Sequence, residues 1–188
     1  MDIILGFILG VIASVFASFI VSSLPTHRYR PLIAFGKNPG LFIRLLVGGE
    51  EQIIYNRISV LFRAWETKNE KAYLECWTED AVRIVGAKSN SKQNKDKIGK
   101  VFRASCKRYL KIKVPCAILE QVSLNPSKNK AIAHVYYRMD LVRSKDNLPV
   151  YEESREVYAL KKSERKWLIT SNIDHFCEIR PTTLEQIS

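Results

Sequence analysis

The chain has 188 residues, 46% of them hydrophobic, with three Trp, eight Tyr and eight Phe, which excludes a disordered polypeptide and suits one membrane segment plus one ordinary domain. Its formal charge of +11 points to an anionic partner or surface, membrane headgroups and nucleic acid being the two candidates. Cys76, Cys106, Cys116 and Cys177 lie far apart with no CxxC spacing, which excludes a cysteine-framed metal ribbon and favours reduced thiols in a cytosolic compartment.

Residues 3–24 carry no charge and are followed by Pro25, so a transmembrane helix is expected over residues 1–24. A secretory signal would carry Lys or Arg ahead of a shorter apolar run, whereas Met1 and Asp2 stand there. His27, Arg28, Arg30, Lys37 and Arg44 follow the span. The positive-inside rule then puts the N-terminus outside and the C-terminal domain in the cytoplasm of a single-pass protein. Gly6, Gly10, Ser14, Ser18 and Ser22 recur every fourth residue. Such a stripe lets two helix backbones approach closely, and the alternative is a plain anchor that happens to be rich in small residues.

Residues 25–49 form a connector, interrupted by Pro25, Pro31 and Pro39 and closed by Gly48 and Gly49. Its apolar patches, "LIAF" and "LFIRLLV", are too short to span a bilayer and would lie in the headgroup layer or strap the domain. A domain is expected over residues 50–178, with a short tail over 179–188.

The domain begins with helices. Ile54, Ile58, Leu61, Phe62 and Trp65 make a buried stripe, "TKNE" breaks it, and "EKAYLECW" makes a short second helix. "DAVRIVG" reads as a brief extended segment and "AKSNSKQN" as a polar loop. A third helix is expected from the N-cap Asn94 to Leu110, burying Ile98, Val101, Phe102, Cys106, Tyr109 and Leu110. Four strand-like runs follow, "CAILEQVSLN", "AIAHVYYRMDLVR", "VYEESREVYALKK" and "WLITSNIDHF", joined by short polar turns. The expected class is α+β, three helices packed on a curved antiparallel sheet.

The stretch "LFRAWETKNEKAYLECWTEDAVRI" resembles the opening of the nuclear transport factor 2-like superfamily, which includes ketosteroid isomerases and polyketide cyclases. Trp65, Asn69, Ala72, Leu74, Trp77, Glu79, Asp80, Ala81 and Val82 carry the resemblance, and the element order extends it over residues 50–177. It implies a cone-shaped domain whose sheet wraps the helices around a pocket. The isomerases' catalytic aspartate falls at Val85 here and their first-helix tyrosine near Leu61, so the resemblance disfavours steroid isomerisation.

Two polar features remain. Arg138, Asp140, Glu156, Asn172, Asp174 and His175 gather on the later strands, with Tyr136, Arg138 and Asp140 sharing one face and Asn172 and Asp174 another. They suit either a pocket with Asp174 as base and Tyr136 or Arg138 holding an oxyanion, or cross-strand ion pairs on a solvated face, the reading preferred here. Lys100, Arg103 and Lys107 lie opposite the third helix's apolar stripe, with Lys111 just beyond. This face either solubilises the domain or meets anionic lipid. Nucleic acid is the weaker candidate, since no aromatic platform accompanies the charge. His27, His134 and His175 are isolated, and neither a metal nor another cofactor is implied. The expected function is that of a membrane-anchored, non-enzymatic assembly module, partnered by lipid and by other subunits or a second copy. The alternatives are a small-molecule binder or enzyme using the cone, and an exported secretion-system-like subunit.

Overall fold

The computed structural model describes residues 49–85, 91–164 and 166–181, the last seven by their backbone alone. The expected span over 1–24 with Gly6, Gly10, Ser14, Ser18 and Ser22, the connector as far as Gly48, and residues 182–188 of the tail lie outside this set. Among the described residues, no helix is long and apolar enough to cross a membrane.

Helix α1 (Glu50–Glu66) opens with Glu50 and Glu51 in its first turn, where carboxylates meet the positive end of the helix dipole. Its buried side carries Ile54, Ile58, Leu61 and Phe62. Lys68, at φ 52°, turns the chain away, and its ammonium donates to the carbonyls of Tyr109 at 2.6 Å and Leu110 at 3.1 Å. Asn69 caps α2 (Glu70–Leu74) by accepting from the Ala72 amide, and Asn94 does the same for α3 (Lys95–Arg108) through Lys97. Within α3, a β-carbon at Gly99 would come within 3.3 Å of Glu70 and Leu74, so glycine lets the two helices meet closely. Trp65, Tyr73 and Phe102 join all three helices, with ring centroids 4.3 to 5.4 Å apart.

The strands are β1 (Trp77–Val85), β2 (Ser91–Asn94), β3 (Tyr109–Leu124), β4 (Lys130–Arg143), β5 (Pro149–Ser163) and β6 (Lys166–Pro181). They form one sheet in the order β2-β1-β6-β5-β4-β3. The α+β class and the meander β3 to β6 agree with the sequence reading, but the sheet is mixed rather than antiparallel, because β1 pairs parallel with β6. Pairing between the first and last long strands produces this parallel pair, and no hairpin or local pattern announces it.

Two boundaries also differ. The loop read from "AKSNSKQN" contains β2, an edge strand antiparallel to β1, whose polar sequence carries no apolar alternation. The third helix stops at Arg108, and Tyr109 and Leu110 open β3, leaving Leu110 57% exposed instead of buried. Lys111, Ile112, Lys113 and Val114 alternate out and in, a strand period that wins over helix continuation once Tyr109 pairs with Arg143. Pro115 fits because β3 is the other edge strand and its register shifts between Lys113 and Cys116.

Truncating Phe102, 1% exposed at the centre of the aromatic cluster, is expected to cost about 3–5 kcal/mol. Urea unfolding of Phe102→Ala checks this, and a loss below about 1 kcal/mol would show that the helices do not depend on the cluster.

Candidate functional site

Alternation along β5 turns Glu152, Ser154, Glu156 and Tyr158 to the concave side of the sheet, beneath the helices. The same rule turns Tyr137 inward from β4, and Asn172 and Asp174 inward from β6. Register then aligns them. Gln93 pairs with Arg83, Arg83 with Asn172, and Asn172 with Tyr158, a polar row across β2, β1, β6 and β5. Glu156 and Asp174 face each other one step along.

Glu156 is the centre of this arrangement and is 4% exposed. It accepts from Tyr158, from the Asn172 amide at 3.0 Å and from Tyr137 at 3.1 Å, and the Arg83 guanidinium stands 3.6 Å away. The Tyr137 hydroxyl is also 3.1 Å from Glu152 and has one proton to donate between the two carboxyls. Asp174 accepts from the Ser154 hydroxyl at 3.1 Å, and its other oxygen lies 3.9 Å from Arg83.

Burial dominates the electrostatics. It pushes the Glu156 and Glu152 carboxyls above their ordinary range, and Arg83 opposes the shift at both. Burial likewise lifts Tyr137 and Tyr158 well above the usual phenol value, with Glu156 adding to it. Arg83 keeps its charge: burial disfavours it, but the attraction of Glu156 outweighs that.

These side chains line a cavity of about 230 Å³, roofed by Phe62, Trp65 and Tyr73 and edged by Arg108 at the end of α3. Among the described residues, three buried polar atoms of its wall have no hydrogen-bond partner: the Trp77 indole nitrogen, Arg83 Nε and the Gln93 amide oxygen. Trp77 is 3% exposed and Gln93 8%.

Of the polar residues grouped from sequence on the later strands, Glu156, Asn172 and Asp174 line this cavity together. Tyr136, Arg138 and Asp140 do not. They occupy the opposite, outer face of β4, where Arg138 pairs with Asp140 at 2.9 Å and lies over the Tyr151 ring at 4.6 Å. The oxyanion pairing of Asp174 with Tyr136 or Arg138 is therefore corrected: an intervening sheet separates them, and Tyr137 is the tyrosine that points inward. Lys100, Lys107 and Lys111 are exposed, as is Arg103, which pairs with Glu70. Val85 lines the cavity and Leu61 sits in the core, so both isomerase positions are apolar here. Sequence reading named Glu156 but missed Arg83, Glu152, Tyr137, Tyr158, Trp77 and Gln93. A charged residue inside the apolar strand "DAVRIV" was the available signal for Arg83.

Three helices packed on one face of a six-stranded mixed sheet define a nuclear transport factor 2-like fold. A ketosteroid isomerase-like protein from Erwinia carotovora atroseptica superposes with a TM-score of 0.57 at 14% identity, over 68% of this chain and 96% of that one. A conserved protein from Planctomyces limnophilus gives 0.61 at 11% identity, over 71% and 98%. A hexachlorocyclohexane dehydrochlorinase gives 0.59 at 10% identity, over 76% and 94%. No protein-family model and no curated protein sequence matches the chain.

The raised carboxyl of Glu152 has a consequence for pH. The folded state holds this proton to higher pH than the unfolded chain, so its contribution to stability falls as pH rises above about 4.5, its ordinary value, and is lost through the raised value. Glu152→Gln retains a partner for Tyr137 without the charge. It is expected to flatten the decline of the urea midpoint from pH 4.5 to neutrality, and an unchanged slope would show that Glu152 titrates as it does in the unfolded chain.

Proposed function

We propose that the domain binds a small polar molecule inside the cone, and that the chain holds this domain at a membrane. The observation that carries the first part is the set of three buried, unpartnered polar atoms, on Trp77, Arg83 and Gln93, in the wall of one cavity. Each such atom costs about 1–3 kcal/mol when left unsatisfied. A guest with matching donors and acceptors offsets that cost. The volume of about 230 Å³ lies below the roughly 300–1,000 Å³ of pockets for drug-sized ligands, which points to a smaller guest. Asp174, which accepts from the Ser154 hydroxyl on one oxygen, is the carboxylate placed to accept from it on the other. Enzymes share the fold, but identities of 10–14% transfer no reaction.

A thermal-shift screen of small polar metabolites on the full chain tests this reading. At 100 times its Kd, a true guest stabilises by about 2.7 kcal/mol, and the gain should vanish in Gln93→Leu and Trp77→Phe. If no compound shifts the transition and both substitutions stabilise the free protein, the cavity is a polar core and the proposal fails.

The membrane part rests on the uncharged run of residues 3–24 and on Arg28, Arg30, Lys37 and Arg44 behind it. The stripe of Gly6, Gly10, Ser14, Ser18 and Ser22 favours a span that packs against a second span, of this chain or of another subunit. The exposed Lys100, Lys107 and Lys111 would meet anionic lipid on the cytoplasmic leaflet. Protease added outside intact cells or spheroplasts is expected to leave the domain uncut. Digestion from outside would reverse the topology and favour an exported domain.

A further inference from the structure

The cavity wall gathers three carboxyls, Glu152, Glu156 and Asp174, in a chain whose formal charge is +11. Among its described lining residues the cations are Arg83, deep in the wall, and the exposed Arg108 at the edge. Arg83, Tyr137, Tyr158 and Asn172 all serve Glu156, which is thereby compensated within the protein. Asp174 has the Ser154 hydroxyl and a distant Arg83, and Glu152 has Tyr137. Carboxyl groups thus outnumber cations around a partly enclosed space. Helix side chains Phe62, Trp65 and Tyr73 line the same cavity, and ring faces attract cations as carboxylates do. The described residues provide no group of three His, Cys, Asp or Glu side chains able to hold a metal ion, whereas aromatic rings beside carboxyls suit an organic cation.

Resting on the reading that the cavity takes a guest, we infer that this guest is a small organic ammonium compound that also carries a hydrogen-bond acceptor. The ammonium lies between Asp174, Glu152 and the aromatic rings. A hydroxyl or carbonyl oxygen of the same molecule accepts from the Trp77 indole N–H and Arg83 Nε–H, whose partners are otherwise missing. The Gln93 amide oxygen takes an N–H or O–H of the guest. A neutral guest would leave the carboxyl excess uncompensated, and an anion would add to it.

The test uses the full chain in detergent micelles, labelled with ¹⁵N at its tryptophans, with the Trp77 indole signal assigned through Trp77→Phe. Three probes of similar size are titrated: 1-amino-2-propanol, propane-1,2-diol and lactate. The amine is expected to shift the Trp77 signal with an affinity roughly tenfold above that of the other two, the factor that about 1.4 kcal/mol of charge and ring attraction supplies. Asp174→Asn is expected to narrow that preference, and Glu152→Gln supplies the same comparison where the first variant does not fold. Equal or tighter binding of the diol or lactate overturns the ammonium inference and leaves a ligand-binding cavity standing. Silence of the Trp77 signal toward all three overturns both.

Discussion

Burying one carboxylate, that of Glu156, constrains most of this domain. A charge taken out of water costs several kcal/mol unless donors replace its hydration. Here the donors come from four strands: Arg83 on β1, Tyr137 on β4, Tyr158 on β5 and Asn172 on β6. They converge only because β1 inserts beside β6, which puts Arg83 level with Asn172 and Tyr158. An antiparallel meander alone would supply both tyrosines and the asparagine but no cation. The parallel pairing that departs from the sequence reading is thus the one that brings a cation to Glu156.

The helices complete the arrangement by covering the carboxyls. Trp65, Tyr73 and Phe102 bind α1, α2 and α3 into one apolar lid above the carboxyls. At the other end of α1, Glu50 pairs with Lys162 and accepts from the Trp167 indole at 2.8 Å, tying the helix to the β5–β6 hairpin. Beneath such a lid the effective dielectric falls and each polar contact weighs more. That is why a raised carboxyl, a retained guanidinium and unpartnered donors occur within one small volume.

Much of the scaffold is legible because periodic patterns survive folding. Ile54, Ile58, Leu61 and Phe62 mark α1, Asn69 and Asn94 mark helix starts, and polar turns separate the long strands. What escapes is set by pairing between distant segments: polar β2, the strand start at Tyr109 and the parallel β1–β6 pair. The site divides the same way. Asn172 and Asp174 were recognisable as a face, but Tyr136 was chosen where Tyr137 belongs. The correct parity was present in β4, where Ala131, Ala133, Val135, Met139 and Leu141 form the buried set that includes Tyr137. Arg83 and Gln93 were harder, since their inward direction depends on strands separated by most of the domain.

The inner and outer faces of the sheet use charge to different ends. Outside, Arg138 with Asp140 and Arg155 with Glu120 are partly solvated pairs, each contributing about 0–1 kcal/mol. They keep the face soluble and hold little specificity. Inside, the position where the resemblance places an isomerase aspartate is Val85, a cavity residue without a proton to exchange. The acids stand instead on β5 and β6, in a cavity that aromatic rings also line. A shared fold therefore fixes the container, while the placement of Glu152, Glu156 and Asp174 against Arg83 decides what it holds. On the reading that the cavity takes a guest, the sign of that guest's charge is the deciding property, because among the described lining residues three carboxyls face Arg83.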